Sequence, residues 1–163
     1  IYALSPDPFD ENRLYAGTDQ GIYTSYDAGK TWNVLTPFFA HIPVTSLVID
    51  PNNAQILLAG THAGVYRTND AGQSWEKLRI APENFTAGSL TIDRRQPNRL
   101  YVGGLQHGGV YTTWDMGKTW ERIDQFIPYN HIWSIVADYS HPGKLYAGTS
   151  GGGVYRYIPK VRF

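Results

Sequence analysis

Four copies of one short pattern run through the 163 residues, and no other feature constrains the fold as tightly. Arg13-Leu14-Tyr15-Ala16-Gly17-Thr18 returns as Ile56-Leu57-Leu58-Ala59-Gly60-Thr61, as Arg99-Leu100-Tyr101-Val102-Gly103-Gly104 and as Lys144-Leu145-Tyr146-Ala147-Gly148-Thr149. The four glycines at 17, 60, 103 and 148 are spaced by 43, 43 and 45 residues. A Gly-apolar-Tyr element follows each copy: Gly21-Ile22-Tyr23, Gly64-Val65-Tyr66, Gly109-Val110-Tyr111 and Gly153-Val154-Tyr155. An octapeptide closes three of the four units: Ser25 to Trp32, Thr68 to Trp75 and Thr113 to Trp120.

Each unit reads as strands. Val44–Ile49 and Ile132–Ala137 are short apolar runs rich in β-branched and aromatic residues. They end at turn-formers, Asp50-Pro51-Asn52-Asn53 and Asp138-Tyr139-Ser140-His141-Pro142-Gly143. The Leu-Tyr-Ala-Gly-Thr run, the Gly-Val-Tyr run and the segment after each octapeptide Trp supply three more strands. No stretch of ten or more residues has helical apolar spacing, so an all-β chain is expected. Four short antiparallel strands per ~40–45 residues is the pattern of a β-propeller blade. The lone Trp114-Asp115 dipeptide lacks a recurring Gly-His partner, which argues against a WD repeat, and kelch blades run longer.

The octapeptides resemble the Asp-box, or BNR repeat, Ser-x-Asp-x-Gly-x-Thr-Trp. The first matches throughout with Ser25, Asp27, Gly29 and Trp32. The second has Thr68, Asp70, Gly72 and Trp75, and the third Thr113, Asp115, Gly117 and Trp120. Asp-box propellers include sialidases, xyloglucanase-type glycoside hydrolases, sortilin-type receptors, photosystem II assembly factors and bacterial extracellular proteins. The resemblance implies a hairpin between the third and fourth strands of each blade, at the rim. An Asp in such a turn accepts hydrogen bonds from backbone N–H groups just after it.

One carboxylate per blade, in one register, spreads Asp27, Asp70 and Asp115 around a perimeter. A glycosidase needs its pair roughly 5–9.5 Å apart, and Ca²⁺ needs about six to eight oxygen ligands. These aspartates are therefore expected to be structural. Blade boundaries are expected at 1–43, 44–87, 88–131 and 132–163. The fourth unit carries Pro159 where the box Asp would stand, so about four blades of a larger, six- to eight-bladed propeller are expected. Residue 1 is Ile, so the native start is expected to lie upstream, and a cleaved signal peptide is compatible with this start.

Function is less constrained. The chain has 14 Lys plus Arg against 14 Asp plus Glu, so nucleic acid and anionic membranes are poor partners. There is no cysteine, which excludes disulfides, thiol catalysis and cysteine metal sites. The five histidines show neither H-x-H nor H-E-x-x-H spacing, and no Gly-rich loop opens a helix. No metal and no cofactor are expected. No apolar run approaches the ~20 residues of a membrane helix.

In a propeller, the turns between second and third strands and the blade-to-blade linkers share the face opposite the boxes. Asp19, Gln20, His62, Gln106 and His107 fall on such turns, with Leu105 and Ser150-Gly151-Gly152 beside them. Phe39, Tyr129 and His131 fall on the linkers, with Phe38, His41, Phe85 and Phe126. These are the candidate ligand-binding residues, the aromatics serving either as a contact surface or as plugs between blades. Arg67 and Arg156 follow Gly-Val-Tyr in one register and are expected to stabilise the rim rather than grip a carboxylate. The favoured function is a non-catalytic scaffold binding protein or glycan. The rest of the propeller, or another chain, is expected at the open strand edges. The alternative is a fragment of an extracellular glycoside hydrolase, xyloglucanase-like or sialidase-like. A secreted, periplasmic or cell-surface location is expected.

Overall fold

A computed structural model describes residues 1–80, 82–106, 108–125, 127–128 and 131–158. Among these described residues, fifteen strands form four antiparallel sheets, each built in chain order. Sheet 1 contains β1 (Ala3–Asp7), β2 (Asp10–Thr18), β3 (Gly21–Ser25) and β4 (Asn33–Val34). Sheet 2 contains β5 (Val44–Asp50), β6 (Asn53–Thr61), β7 (Gly64–Thr68) and β8 (Glu76–Leu78). Sheet 3 contains β9 (Thr86–Ile92), β10 (Leu100–Gln106), β11 (Gly109–Thr113) and β12 (Glu121–Arg122). Sheet 4 contains β13 (Ile132–Ala137), β14 (Leu145–Thr149) and β15 (Gly153–Tyr157). The only helix among the described residues is a single 3₁₀ turn, Pro37–Phe39. Thr86 and Ala87 already belong to β9, two residues ahead of the boundary expected at 88. Irregularities at Gly104 bring them into register, pairing Ala87 with Gly104 and Thr86 with Gln106.

The first strands β1, β5, β9 and β13 lie side by side, whereas the outer strands β4, β8 and β12 make no comparable approach. The sheets therefore fan out from a shared inner edge, as propeller blades do. Polar bonds join neighbouring sheets along that edge. Ser5 Oγ donates to Leu47 O, Thr45 Oγ1 donates to Ala87 O at 2.7 Å, and Ile135 N–H donates to Ser89 Oγ at 3.0 Å.

Three apolar clusters fill the three spaces between sheets, and they use matching positions. Tyr15, Ile22 and Leu35 of sheet 1 meet Leu47, Ala59, Tyr66 and Trp75 of sheet 2. Leu58, Val65 and Leu78 of sheet 2 meet Leu90, Val102, Tyr111 and Trp120 of sheet 3. Tyr101, Val110 and Ile123 of sheet 3 meet Ile135, Ala147 and Tyr155 of sheet 4. Each linker plugs the same place. Phe39 packs edge-on against Tyr66 and Trp75, with ring centroids 5.3 and 4.9 Å away. Phe85 packs against Tyr111 at 5.4 Å, and Ile127 joins the third cluster. The recurring glycines permit the approach: a Cβ on Gly17 would stand 2.7 Å from Val44 O, and one on Gly103 would stand 2.5 Å from Ile132 Cγ2.

The octapeptides form the hairpins between third and fourth strands, as the resemblance implies. Asp27 Oδ1 accepts from Thr31 N–H at 2.8 Å, and its Oδ2 accepts from Thr31 Oγ1 at 2.6 Å. Ser25 Oγ donates to Asp27 Oδ1 and accepts from Gly29 N–H, both at 2.8 Å. Trp32 Nε1–H donates back to Gly29 O at 3.0 Å. Asp70 and Asp115 repeat the same set with Ser74 and Thr68, and with Thr119 and Thr113. Donation from Thr31 and then Ser25 holds the Asp27 carboxyl at about 2. Donation from Ser74 and then Thr68 does the same for Asp70, at about 2. Thr113 and Thr119 hold Asp115 well below the usual carboxylate range. The turn is tighter than the pattern suggests. Besides the box glycines, Ala28, Ala71 and Met116 take φ values of 58°, 56° and 58°, a region costly for residues with a Cβ.

These details give three expected outcomes. Gly103→Ala should cost about 1–3 kcal/mol through overpacking, a Tm drop on the order of 2–10 °C by calorimetry. Ala71→Gly should instead stabilise, by up to ~1 kcal/mol, because relief of a left-handed alanine exceeds the added chain entropy. An unchanged or lower Tm for this variant would show that the turn carries no strain. The box carboxyls lie below their unfolded value near ~3.9, so their contribution is complete above that pH. It is lost as pH falls toward about 2. Circular-dichroism melts from pH 5 down to pH 2 should show Tm falling in that window. Asp70→Asn should begin lower and fall less steeply.

Candidate functional site

The turns opposite the boxes form a row, one from each sheet, and the linkers brace them. Gln20 N–H donates to Thr18 Oγ1 at 3.0 Å, and Ala63 N–H donates to Thr61 Oγ1 at 3.0 Å. The linker before sheet 2 accepts His62 N–H at Pro43 O, 3.1 Å. The linker before sheet 4 accepts Ser150 N–H at His131 O, 3.1 Å. Thr86 Oγ1 donates to His62 O at 3.3 Å. The backbone of this face is thus tied to the linkers that enter its sheets, and the Thr86–His62 bond joins sheet 3 to the turn of sheet 2.

Asp19, Gln20, His62, Gln106 and His131 are all exposed there. The structure brings three polar groups of this face into contact: His41 Nδ1 lies 3.0 Å from Gln20 Oε1, and Gln20 Nε2 donates to Asp19 Oδ2 at 3.3 Å. Among the described residues, no hydrogen bond joins His62, Gln106 or His131 side chains to that group. Phe39 requires correction. It is wholly buried between Tyr66 and Trp75, so it is a packing plug and offers no ligand surface. His107, Tyr129 and Phe126 lie outside the described residues. No three His, Asp or Glu side chains converge as metal ligands among the described residues.

A second aspartate register lies on the opposite face, at the turn after each first strand. Asp7, Asp50, Asp93 and Asp138 each accept, through Oδ1, the N–H two residues on, at 2.8–3.0 Å. The spacing of 43, 43 and 45 residues matches that of the glycines. Only Asp50 and Asp138 stand out from their local turn sequence; the common spacing is the signal that links all four. Lys144 donates to Asp138 at 2.9 Å, and with the Ser140 N–H it holds that carboxyl well below its ordinary range. The box hairpins bond to this same face: Ala28 N–H donates to Asn12 O, Ala71 N–H to Gln55 O and Met116 N–H to Asn98 O.

Half-buried Arg13 and buried Arg99 also escape a motif reading. Arg13 lies 4.9 Å from the Tyr15 ring centroid and 5.3 Å from that of Tyr26. Arg99 lies 4.8 Å from Tyr101 and 3.6 Å from Trp114. Trp114, the half of a false WD dipeptide, is therefore the cover of a cation–π sandwich. Sheet 2 replaces all three members together, with Ile56, Leu58 and Asn69. Arg67 does serve the rim: it pairs with Glu76 at 2.6 Å and donates to Met116 O of the next sheet at 3.0 Å. Near the inner edge, Pro6, Leu47, Pro51, Arg94 and Tyr139 line a cleft of 170 Å³. The sequence reading placed no candidate there.

No curated protein matches the chain. Solved structures share its fold. An ancestral GH74 enzyme is 21% identical, with a TM-score of 0.80 over 96% of this chain and 22% of its own. YCF48 bound to D1 peptide is 19% identical, with a TM-score of 0.69 over 98% of this chain and 52% of its own. An extracellular domain from B. thetaiotaomicron is 21% identical, with a TM-score of 0.73 over 96% of this chain and 21% of its own. The chain thus spans between about a fifth and a half of the structures it resembles. At these identities the likeness is one of fold. The family model described as "Sortilin, neurotensin receptor 3" matches residues 20–155, most of the repeat, and the chain belongs to this Sortilin-Vps10 family.

Proposed function

We propose that this propeller segment is a non-catalytic binding scaffold that presents the turn face opposite its boxes to a protein or glycan ligand. The observation that carries the reading is the bracing of that face. Its turns are bonded to the linkers that enter their own sheets, and in one case to the first strand of the next sheet, while Asp19, Gln20, His62, Gln106 and His131 are exposed. Rigid backbone with exposed polar side chains suits binding, because little ordering entropy is lost on contact. The box and turn aspartates are occupied with backbone N–H groups, and Asp19 is the acid among the candidate residues of this face. A single carboxylate is half of the pair that glycoside hydrolysis uses.

Support comes from the relatives in two forms. YCF48 was solved with a D1 peptide bound, and another similar structure is an extracellular domain. The first fits a scaffold that displays loops to a partner, and the second fits a place outside the cytoplasm. Among the described residues no helix is long and apolar enough to cross a membrane. The GH74 likeness favours the second reading, a glycoside hydrolase piece whose remaining acid lies elsewhere in the whole protein.

Glycan and peptide arrays, read beside a chromogenic-glycoside screen, separate the two. Binding without turnover is expected. His62→Ala and His131→Ala should each weaken it about tenfold, the equivalent of ~1.4 kcal/mol. Glycoside turnover that disappears in Asp19→Asn would replace the scaffold reading with the enzyme one.

A further inference from the structure

Among the described residues, four other than glycine take a positive φ: Ala28, Ala71, Met116 and His41. The first three share one box register. His41, at φ 63°, belongs to no register. It stands on the linker between sheets 1 and 2, away from both ends of the chain. A left-handed backbone is costly for a residue with a Cβ, and such strain gathers at functional positions. His41 Nδ1 lies 3.0 Å from Gln20 Oε1, and Gln20 Nε2 lies 3.3 Å from Asp19 Oδ2. Distance alone cannot orient an amide, but its partner can. A carboxylate accepts and does not donate. Asp19 therefore takes the Gln20 N–H, which turns the Gln20 carbonyl toward His41. That carbonyl also only accepts, so Nδ1 of His41 carries a proton. A neutral imidazole has one N–H, and Nε2 is left as a bare acceptor. Three residues earlier on the same linker, the Phe38 ring is 47% exposed. Edge-on contacts to Phe39 at 4.9 Å and Tyr66 at 5.6 Å hold that ring in place.

We infer that His41 contacts the ligand, its Nε2 accepting a hydrogen bond from a hydroxyl of a neutral sugar whose C–H face lies on Phe38, with Gln20 and Asp19 as positioning residues. Resting on the reading of this face as a ligand surface, the assignment narrows that ligand from protein or glycan to an uncharged glycan. The tautomer carries the choice. A bare nitrogen rewards an O–H donor and offers nothing to a carboxylate or phosphate, which only accept, so it selects against acidic sugars. A fixed ring beside a hydrogen-bond acceptor matches a pyranose, which has apolar C–H faces and a rim of hydroxyls. The imidazole orientation is set by the bond its other nitrogen makes, as in other histidine sites. The strained backbone at His41 is the local cost of aiming the ring at Gln20.

Two measurements on the whole protein to which this chain belongs test the inference. Nitrogen-15 NMR of histidine-labelled protein in alkaline buffer, with signals assigned through His41→Ala, should show Nδ1 protonated and Nε2 bare. Gln20→Ala should return His41 to the Nε2–H form that unconstrained histidines favour. An Nε2–H tautomer in the unmodified protein, or a signal that Gln20→Ala leaves in place, overturns the inference. Left-handed alanine is already accommodated at 28 and 71, so His41→Ala should fold, which far-ultraviolet circular dichroism checks. On glycan and peptide arrays a neutral glycan should bind, about tenfold more weakly in His41→Ala. Phe38→Ala should weaken it to a similar degree. Binding of a peptide or an acidic glycan in its place, or neutral-glycan binding that His41→Ala leaves intact, overturns the inference while the scaffold reading stands. An array without any bound ligand overturns both.

Discussion

A small four-stranded sheet of this kind has two apolar faces and can bury neither by itself. That constraint organises this chain. Ile22, Val65 and Val110 lie on one face of their sheets, and Leu47, Leu90 and Ile135 on the other face of theirs. Each is buried only where a neighbouring sheet is present. Leu4 and Val154 occupy the same registers at the two ends and stand in solvent. Stability here belongs to junctions between sheets, as in repeat proteins generally.

Close stacking needs small residues where backbones meet and large ones where they diverge. Gly17 and Gly103 supply the first near the inner edge. Tyr66, Trp75 and Tyr111 supply the second, with Phe39 and Phe85 wedged in from the linkers. The box hairpins hold the outer corners by hydrogen bonding, with Asp27, Asp70 and Asp115 gathering N–H and hydroxyl donors from their own turns. That geometry commits the carboxylate oxygens to donors within their own turns. The left-handed Ala28, Ala71 and Met116 show that even a well-matched box is not free of strain.

The candidate site was legible in outline. The turns carrying Asp19, His62 and Gln106 could be placed on one face because repeat register fixes which loops share an end. What could not be read was which linker aromatics reach solvent. Phe38 and Phe39 are adjacent in sequence, yet Phe38 is partly exposed and Phe39 is sealed against Tyr66 and Trp75. A 3₁₀ turn sets that difference, and three residues beginning with proline carry too little periodicity to announce it. The aspartate register at 7, 50, 93 and 138 was visible in the spacing, but its separate turn sequences differ enough to hide it.

The sequence by itself determined the period, the strands, the box hairpins and the family resemblance. Those follow from local chemistry: turn residues, β-branched runs, and an aspartate with its hydroxyl partners four residues on. Tertiary structure decided what depends on neighbours distant in the chain. It buried Phe39 and Trp75 together, placed Trp114 over Arg99 and opened a cleft between Pro6, Pro51 and Tyr139. The Phe39 and cleft contacts bring different sheets together, whereas Arg99 and Trp114 meet within sheet 3; a repeat pattern specifies the sheet far more fully than it specifies what that sheet will meet.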